Sequence, residues 1–339
     1  MSNRLLNWDR WGLENINSEY SGRIFIAREI SGLNRNLFYP TADPFNFKPP
    51  IDIISKLNIT DSINSADFIL VPHPWVSIQK NRSYVNYLYS LSENHPLLLA
   101  NTDDLQPSCA IPNTLQLRSS LHPREKNFRK IVMPYPAKQQ DFKIREWKSV
   151  PQLSFVGFVP KFSLGSLTSK SSSFIHSPIK SSVYINRKLS LIQLKKLKSD
   201  FKVTCVERSQ FTLLADNPNL NSHIQEYKTS LLQSDYILCP RGFGNFSIRF
   251  YEALSSGATP LIIDSGSELP QLNDKKFWNS NVLFLNLFTD WAKIIWQDWK
   301  NLGEGTNYRE RQLRNRAVFL NELDIQKYSE KLFAGYLLP

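Results

Sequence analysis

The chain has 339 residues, with 41 Lys and Arg against 30 Asp and Glu for a formal net charge of +11, and it is 41% hydrophobic and 12% aromatic. That apolar content excludes a disordered tail, and at roughly 150 residues per domain the length suits two medium domains. Three cysteines, Cys109, Cys205 and Cys239, with no CxxC pair, exclude a disulfide framework and a thiolate zinc site as organising principles.

Apolar runs such as 68–71 and 97–100 are far shorter than the roughly 20 residues a spanning helix needs. Residues 1–8 lack the apolar stretch of about 7–15 residues that marks a signal peptide, so the expected location is cytoplasmic, with peripheral contact to an anionic membrane left open. The positive charge suits nucleic acid, an anionic lipid face or a phosphate-bearing small molecule, and serves solubility equally well.

In chain order, prolines from Pro40 to Pro136 punctuate short apolar runs at 66–71, 95–100 and 130–133, which read as buried parallel strands. Between the first two, 77–93 reads as a crossover helix through Ile78, Val85, Leu88 and Leu91. A charged stretch over 138–149 sets a domain boundary near Val150. A strand at 153–159 follows, then a Ser-rich segment, 163–182, read as a surface loop in preference to a lid. From Asn186 a basic helix leads to a strand at 201–206, a helix at 222–233, a strand at 235–239, a short helix that Gly257 ends at C′, and a strand at 259–264. Residues 308–338 read as helical. The expected organisation is an α/β domain over 1–150, a second over 151–305, and a helical segment over 306–339.

The chemistry concentrates in residues 234–264. A buried strand delivers the loop Pro240-Arg-Gly-Phe-Gly244 to the carboxyl edge of a sheet, where open α/β sheets bind ligands, and a helix begins there. Gly242 and Gly244 permit close backbone approach, the helix start offers unpaired N–H groups, and Arg241 and Arg249 add charge suited to a diphosphate. Glu252, one turn after Arg249, is placed to meet ribose hydroxyls. The plainer alternative is that Gly242-Phe-Gly244 is only GxG, with Arg249 and Glu252 an ordinary i,i+3 pair.

The same stretch closely resembles the C-terminal signature of the exostosin family of glycosyltransferases. Cys239-Pro-Arg-Gly242 is followed by Ser247-Ile-Arg-Phe-Tyr-Glu-Ala-Leu254, then Gly257 and Pro260. Further landmarks in family order are 66–72, 131–136, 153–157, Arg187 and Asp290-Trp291. The resemblance implies a GT-B architecture, two Rossmann-like domains with parallel sheets facing across a cleft, and inverting sugar transfer without a bound metal or other cofactor. It implies a nucleoside-diphosphate sugar, expected to be UDP-linked, held by Arg241, Gly242, Gly244, Asn245, Ser247, Arg249, Glu252, Arg187 and Gly157, and a glycan or lipid-linked acceptor.

Independently, no Asp-x-Asp motif adjoins a strand and the five histidines show no metal-ligand spacing, so fixed donors would have to neutralise a departing diphosphate. Inversion also needs a base for the acceptor hydroxyl. The candidates follow apolar runs in the first domain: Asp104 and Asp103 ahead of His73, with Asp43 behind. The alternatives are a helix cap for the aspartates and a turn residue for His73. Trp291, Trp296 and Trp299 are expected to serve packing. Two rival readings stand beside the transferase: a basic nucleic-acid binder, disfavoured because the basic runs are interrupted as solvated helix faces are, and a catalytically inactive glycan-binding relative.

Overall fold

The computed structural model describes residues 23–31, 58–101, 109–119, 130–135, 137–159, 178–209, 219–242, 246–263, 268–274 and 276–332. The chain divides into two compact units, one made of residues 1–136, 267–273 and 323–339, the other of 137–266 and 274–322. Each contains one five-stranded sheet in which every described pairing is parallel.

In the first unit the strands run across the sheet in chain order: β1 (Ile24–Ile26), β2 (Phe68–Leu70), β3 (Leu97–Ala100), β4 (Thr114–Arg118) and β5 (Lys130–Val132). Ile69, Val71, Leu97 and Leu99 pack against Trp75, Ile78, Tyr84 and Leu88 from α1 (Trp75–Ile78) and α2 (Arg82–Ser92). The single crossover helix expected over 77–93 is thus two helices. Asn81 starts the second by accepting the Tyr84 N–H at 3.1 Å, which interrupts the helical ladder. Strand β4 escapes a hydropathy reading because Thr114, Gln116 and Arg118 alternate with Leu115 and Leu117, yet all five residues are buried. Gln116 is compensated there: it accepts from Asn101 Nδ2 at 3.1 Å and donates to the Cys109 carbonyl at 3.3 Å.

The second unit begins fourteen residues before the expected boundary at Val150. Residues 137–150 pack with it because their backbone is bonded into it. The Gln140 N–H donates to Ser255 Oγ at 2.7 Å, and Arg145 exchanges backbone bonds of 2.8 and 3.0 Å with the Gln312 side chain. Its strands are β6 (Gln152–Phe158), β7 (Lys202–Arg208), β8 (Tyr236–Cys239), β9 (Thr259–Ile263) and β10 (Leu283–Leu285), in the order β10-β9-β8-β6-β7. Helices α3 (Pro178–Lys196), α4 (Leu220–Gln233), α5 (Ile248–Ser255), α6 (Phe277–Asn281), α7 (Trp291–Leu302) and α8 (Thr306–Val318) complete it. Among described strands, only this sheet reverses its order. Counted from β6 it runs 2-1-3-4-5, with the switch point between β6 and β8.

Leu191 and Leu194 of α3, Leu197 just after it, and Ile295, Trp299 and Leu302 of α7 cover Leu153, Phe155, Tyr236 and Leu238 of the sheet. Trp299 stacks on Trp147 with ring centres 5.8 Å apart and meets Tyr236 and Tyr308 edge-on. Trp291 and Trp299 are buried and Trp296 packs on Phe201, so all three tryptophans serve packing, as expected. Beneath the sheet, the buried Asp235 carboxylate accepts the Gln152 N–H at 2.7 Å and the Tyr308 hydroxyl, with Arg145 Nε 3.6 Å away. Burial pushes its pKa up and these partners oppose that, which keeps a charged group tolerable in the core. The helix expected over 308–338 breaks at a π turn, Phe319–Leu323. The following helix α9 (Ile325–Lys331) belongs to the first unit, where Tyr328 donates to the Val132 carbonyl at 3.1 Å.

Gly257 ends α5 as expected. Its φ is +72°, its N–H reaches the Leu254 carbonyl at 2.9 Å, and the Ala258 N–H reaches Ala253 at 2.9 Å, the paired bonds of a Schellman motif. A methyl group there would lie 2.6 Å from Phe142 Cε2 and 3.0 Å from the Gln312 carbonyl. Gly257→Ala is expected to cost about 2–4 kcal/mol, combining the left-handed penalty with overpacking, measured as a lowered urea midpoint by tryptophan fluorescence.

Candidate functional site

The backbone ladder between β6 and β8 is short. It pairs Leu153 with Tyr236 and Ser154 with Ile237, whereas β6 stays paired with β7 through Phe158 and Arg208. The Gln152 carbonyl accepts the Asp235 N–H at 2.8 Å on the β8 side. By the period of two, the Val156 and Phe158 carbonyls turn to that same side. Beyond Ser154 no β8 backbone meets them, and arginines do instead. Arg249 Nη2 donates to Val156 at 2.8 Å, and Arg187 Nη1 donates to Phe158 at 3.1 Å. Arg187 Nη2 also donates to the Arg241 carbonyl at 3.1 Å, so one guanidinium bridges the diverging ends of the two strands.

This crevice at the carboxyl edge is lined by Asn186, Arg187 and Ser190 of α3 with Pro240, Arg241 and Ile263. Within it the Arg241 Nε and Nη2 atoms are buried and have no hydrogen-bond partner among the described residues, and burial pushes the guanidinium below the usual arginine range. Two buried guanidinium N–H positions left without an acceptor are costly unless an anion or water completes them. The Gly242 N–H closes the following loop onto the Phe246 carbonyl at 2.8 Å. A side chain at Gly242 would make only ordinary contact, 3.6 Å, so the chain's own packing does not demand glycine there. Ser247 is the N-cap of α5 but makes no side-chain capping bond.

Several expected ligands have other work. At Gly157 a Cβ would fall 2.3 Å from Arg249 Nη2, so this glycine seats the arginine. The Arg249 guanidinium lies 4.5 Å over the Phe155 ring and 5.7 Å from that of Tyr227. Glu252, expected to meet ribose, is buried. One oxygen accepts the Tyr227 hydroxyl and the other accepts Gln140 Nε2 at 3.3 Å, so both are engaged by the chain itself. Nor do Arg249 and Glu252 form the i,i+3 surface ion pair of the plainer alternative. Burial raises the Glu252 carboxyl above the usual range, against the Tyr227 bond and the Arg249 charge. Tyr227, Gln140 and Phe155 are the residues that sequence reading misses. Tyr227 and Gln140 support the site from positions with no motif of their own, and Phe155 from within the 153–157 landmark, where only Gly157 is expected to be a ligand.

Of the candidate bases, His73 is fully buried. Its Nε2 accepts the Ile30 N–H at 2.9 Å and its ring meets Tyr84 edge-on at 6.2 Å, which makes it the turn residue of the alternative reading. Asp43, Asp103, Asp104, Gly244 and Asn245 lie outside the described residues, as does the Ser-rich stretch up to residue 177. Among the described residues no group of three His, Cys, Asp or Glu side chains is placed to hold a metal ion.

Two outcomes follow from these contacts. His73→Phe is expected to lower stability by about 1–3 kcal/mol in thermal melts by leaving the Ile30 N–H unpaired, while preserving the pH profile of any activity. For Glu252, burial raises the folded-state pKa, so its stabilising contribution is present below the unfolded-state value and is lost as pH rises through the folded one. Glu252→Gln is therefore expected to hold or raise the melting temperature at neutral pH, and Glu252→Ala to lower it.

The RXYLT1 C-terminal domain family model matches residues 165–319, from before α3 to the end of α8 and including the loop that carries Arg241. No curated protein matches the chain significantly. Among solved structures, the chain is similar to TarM at 10% identity over 81% of this chain and 55% of that one, with TM-score 0.37. It is similar to AviGT4, a glycosyltransferase involved in avilamycin A biosynthesis, at 11% identity over 93% and 98%, with TM-score 0.36. It is similar to the spinosyn rhamnosyltransferase SpnG complexed with thymidine diphosphate at 12% identity over 75% and 70%, with TM-score 0.28. At these scores the likenesses carry no argument, and the chain spans about half the length of TarM. The family match spans the exostosin-like signature at Cys239–Leu254, and over residues 165–319 the chain is similar to RXYLT1 C-terminal domains.

Proposed function

We propose that the protein is an inverting glycosyltransferase that moves a sugar from a nucleoside-diphosphate donor, UDP-linked by our reading, to a hydroxyl of a glycan or lipid-linked saccharide. The observation that carries this is the buried, unpaired Arg241 fork at the switch point, beside the Arg187 bridge. A ligand that answers it is an anion with several acceptor oxygens, and a diphosphate supplies them on a group that must leave with its charge stabilised.

In this scheme Arg241 donates to the diphosphate as the bond to the sugar carbon breaks. Arg187 and Arg249, held on the Phe158 and Val156 carbonyls, contribute fixed positive charge without reorganising. Because three guanidinium groups supply that charge, the reaction is proposed to proceed without a divalent metal. Asp104 or Asp103 is proposed to take the acceptor proton as the hydroxyl attacks the sugar carbon from the face opposite the nucleotide.

Titration calorimetry with UDP, GDP, CMP and a short single-stranded RNA, with and without EDTA, tests this. The expected result is EDTA-insensitive binding of one nucleoside diphosphate, UDP on this reading, weakened about 10–100-fold in Arg241→Ala. RNA binding that falls steeply with salt, ignores Arg241 and is unaccompanied by nucleotide binding would replace the transferase with a nucleic-acid binder.

A further inference from the structure

Helix α3 has two working faces. Leu191 and Leu194 turn into the core, and Arg187 and Ser190 reach the crevice. On the outer side, Ile185, Leu189 and Ile192 recur at helical spacing and are exposed to 38%, 42% and 43%. A second apolar feature stands beside them. Gln193 Nε2 donates to the Leu287 carbonyl at 3.1 Å, which fixes the turn between β10 and α7 against this helix, and Phe288 at that turn is 95% exposed. An aliphatic stripe with an aromatic tip next to it is an unusual thing to leave in water.

The surroundings are cationic. Lys188 and Lys195 flank the stripe and share one carboxylate, Glu207. Lys196 continues the stripe at the helix end, Lys198 lies just beyond it, and neither forms an ion pair among the described residues. Four lysines against Glu207 and Asp200 leave this face positive. Among the described residues no helix is long and apolar enough to cross a membrane, so this surface would lie on a bilayer and not span one.

We propose that this face of α3, together with Phe288, docks the second unit onto an anionic lipid bilayer. Ile185, Leu189, Ile192 and Phe288 enter the boundary between headgroups and acyl chains, while Lys188, Lys195 and Lys196 meet the headgroup phosphates. Charge complementarity selects lipid over a second copy of the chain. An isologous pairing across this face would set two rows of lysines against each other. Because the helix that meets the lipid also holds Arg187 and Ser190 at the crevice, docking brings the donor site to the bilayer surface. Taken with the transferase reading, on which this last step alone rests, the acceptor is the lipid-linked saccharide and not the soluble glycan.

Co-sedimentation of the full chain with vesicles of phosphatidylcholine, alone or with about one third phosphatidylglycerol, tests the surface. Wild type is expected to bind the anionic vesicles, weakly or not at all the neutral ones, and to release as salt rises. The double variant Leu189→Ser with Phe288→Ser is expected to lose tenfold or more in apparent affinity, and Lys196→Gln about fivefold at low salt. All these positions are exposed, and an unchanged melting temperature confirms folding in each variant. Equal binding by wild type and the double variant overturns the proposal. So does a doubled mass in light scattering that the double variant abolishes, which would assign the face to a second copy. A parallel UDP titration keeps the two readings apart: vesicle binding without nucleotide binding sinks the donor site and leaves the lipid surface standing.

Discussion

The arginine cluster exists because a backbone ladder stops early. Because the second sheet reverses its strand order between β6 and β8, the two strands share pairing only at Leu153–Tyr236 and Ser154–Ile237 and then diverge. The carbonyls of Val156 and Phe158 are left facing a gap, and buried carbonyls must find donors. Arg249 and Arg187 supply them. The same two side chains that repair the backbone line the gap with positive charge, so the structural solution and the proposed anion site have one origin. Gly157 is glycine because a Cβ would displace Arg249, and Phe155, Tyr227 and Glu252 surround that arginine as an aromatic and polar cage.

This division of labour separates the three arginines. Two are spent on the fold and contribute charge from fixed positions. The third, Arg241, is anchored through its own carbonyl by Arg187 but keeps two guanidinium nitrogens unpaired in the crevice. For the proposed donor this makes the site preorganised, with its hydrogen-bond donors already in place.

Much of this was legible in the residues. The strand Tyr236–Cys239, the helix Ile248–Ser255, its glycine stop at 257 and the packing role of the tryptophans follow from local periodicity and turn chemistry. What was not legible depends on contacts far apart in the chain. The i,i+3 spacing of Arg249 and Glu252 suggested two ligands on one face, but Gln140, 112 residues away, and Tyr227 occupy the carboxylate. Residues 137–150 read as the end of the first half because they are charged, yet the Gln312 and Ser255 side chains bind their backbone into the second. β4 hides behind polar residues whose buried partners no sequence window reveals.

The most direct measurement is a crystal structure of the protein with UDP. The diphosphate is expected above the carboxyl ends of β6 and β8, hydrogen-bonded by the Arg241 guanidinium, with the Arg187 and Arg249 bonds to Phe158 and Val156 retained. A nucleotide bound elsewhere, with Arg241 still unpaired, or bound in the crevice only after Arg187 and Arg249 release those carbonyls, would contradict that expectation.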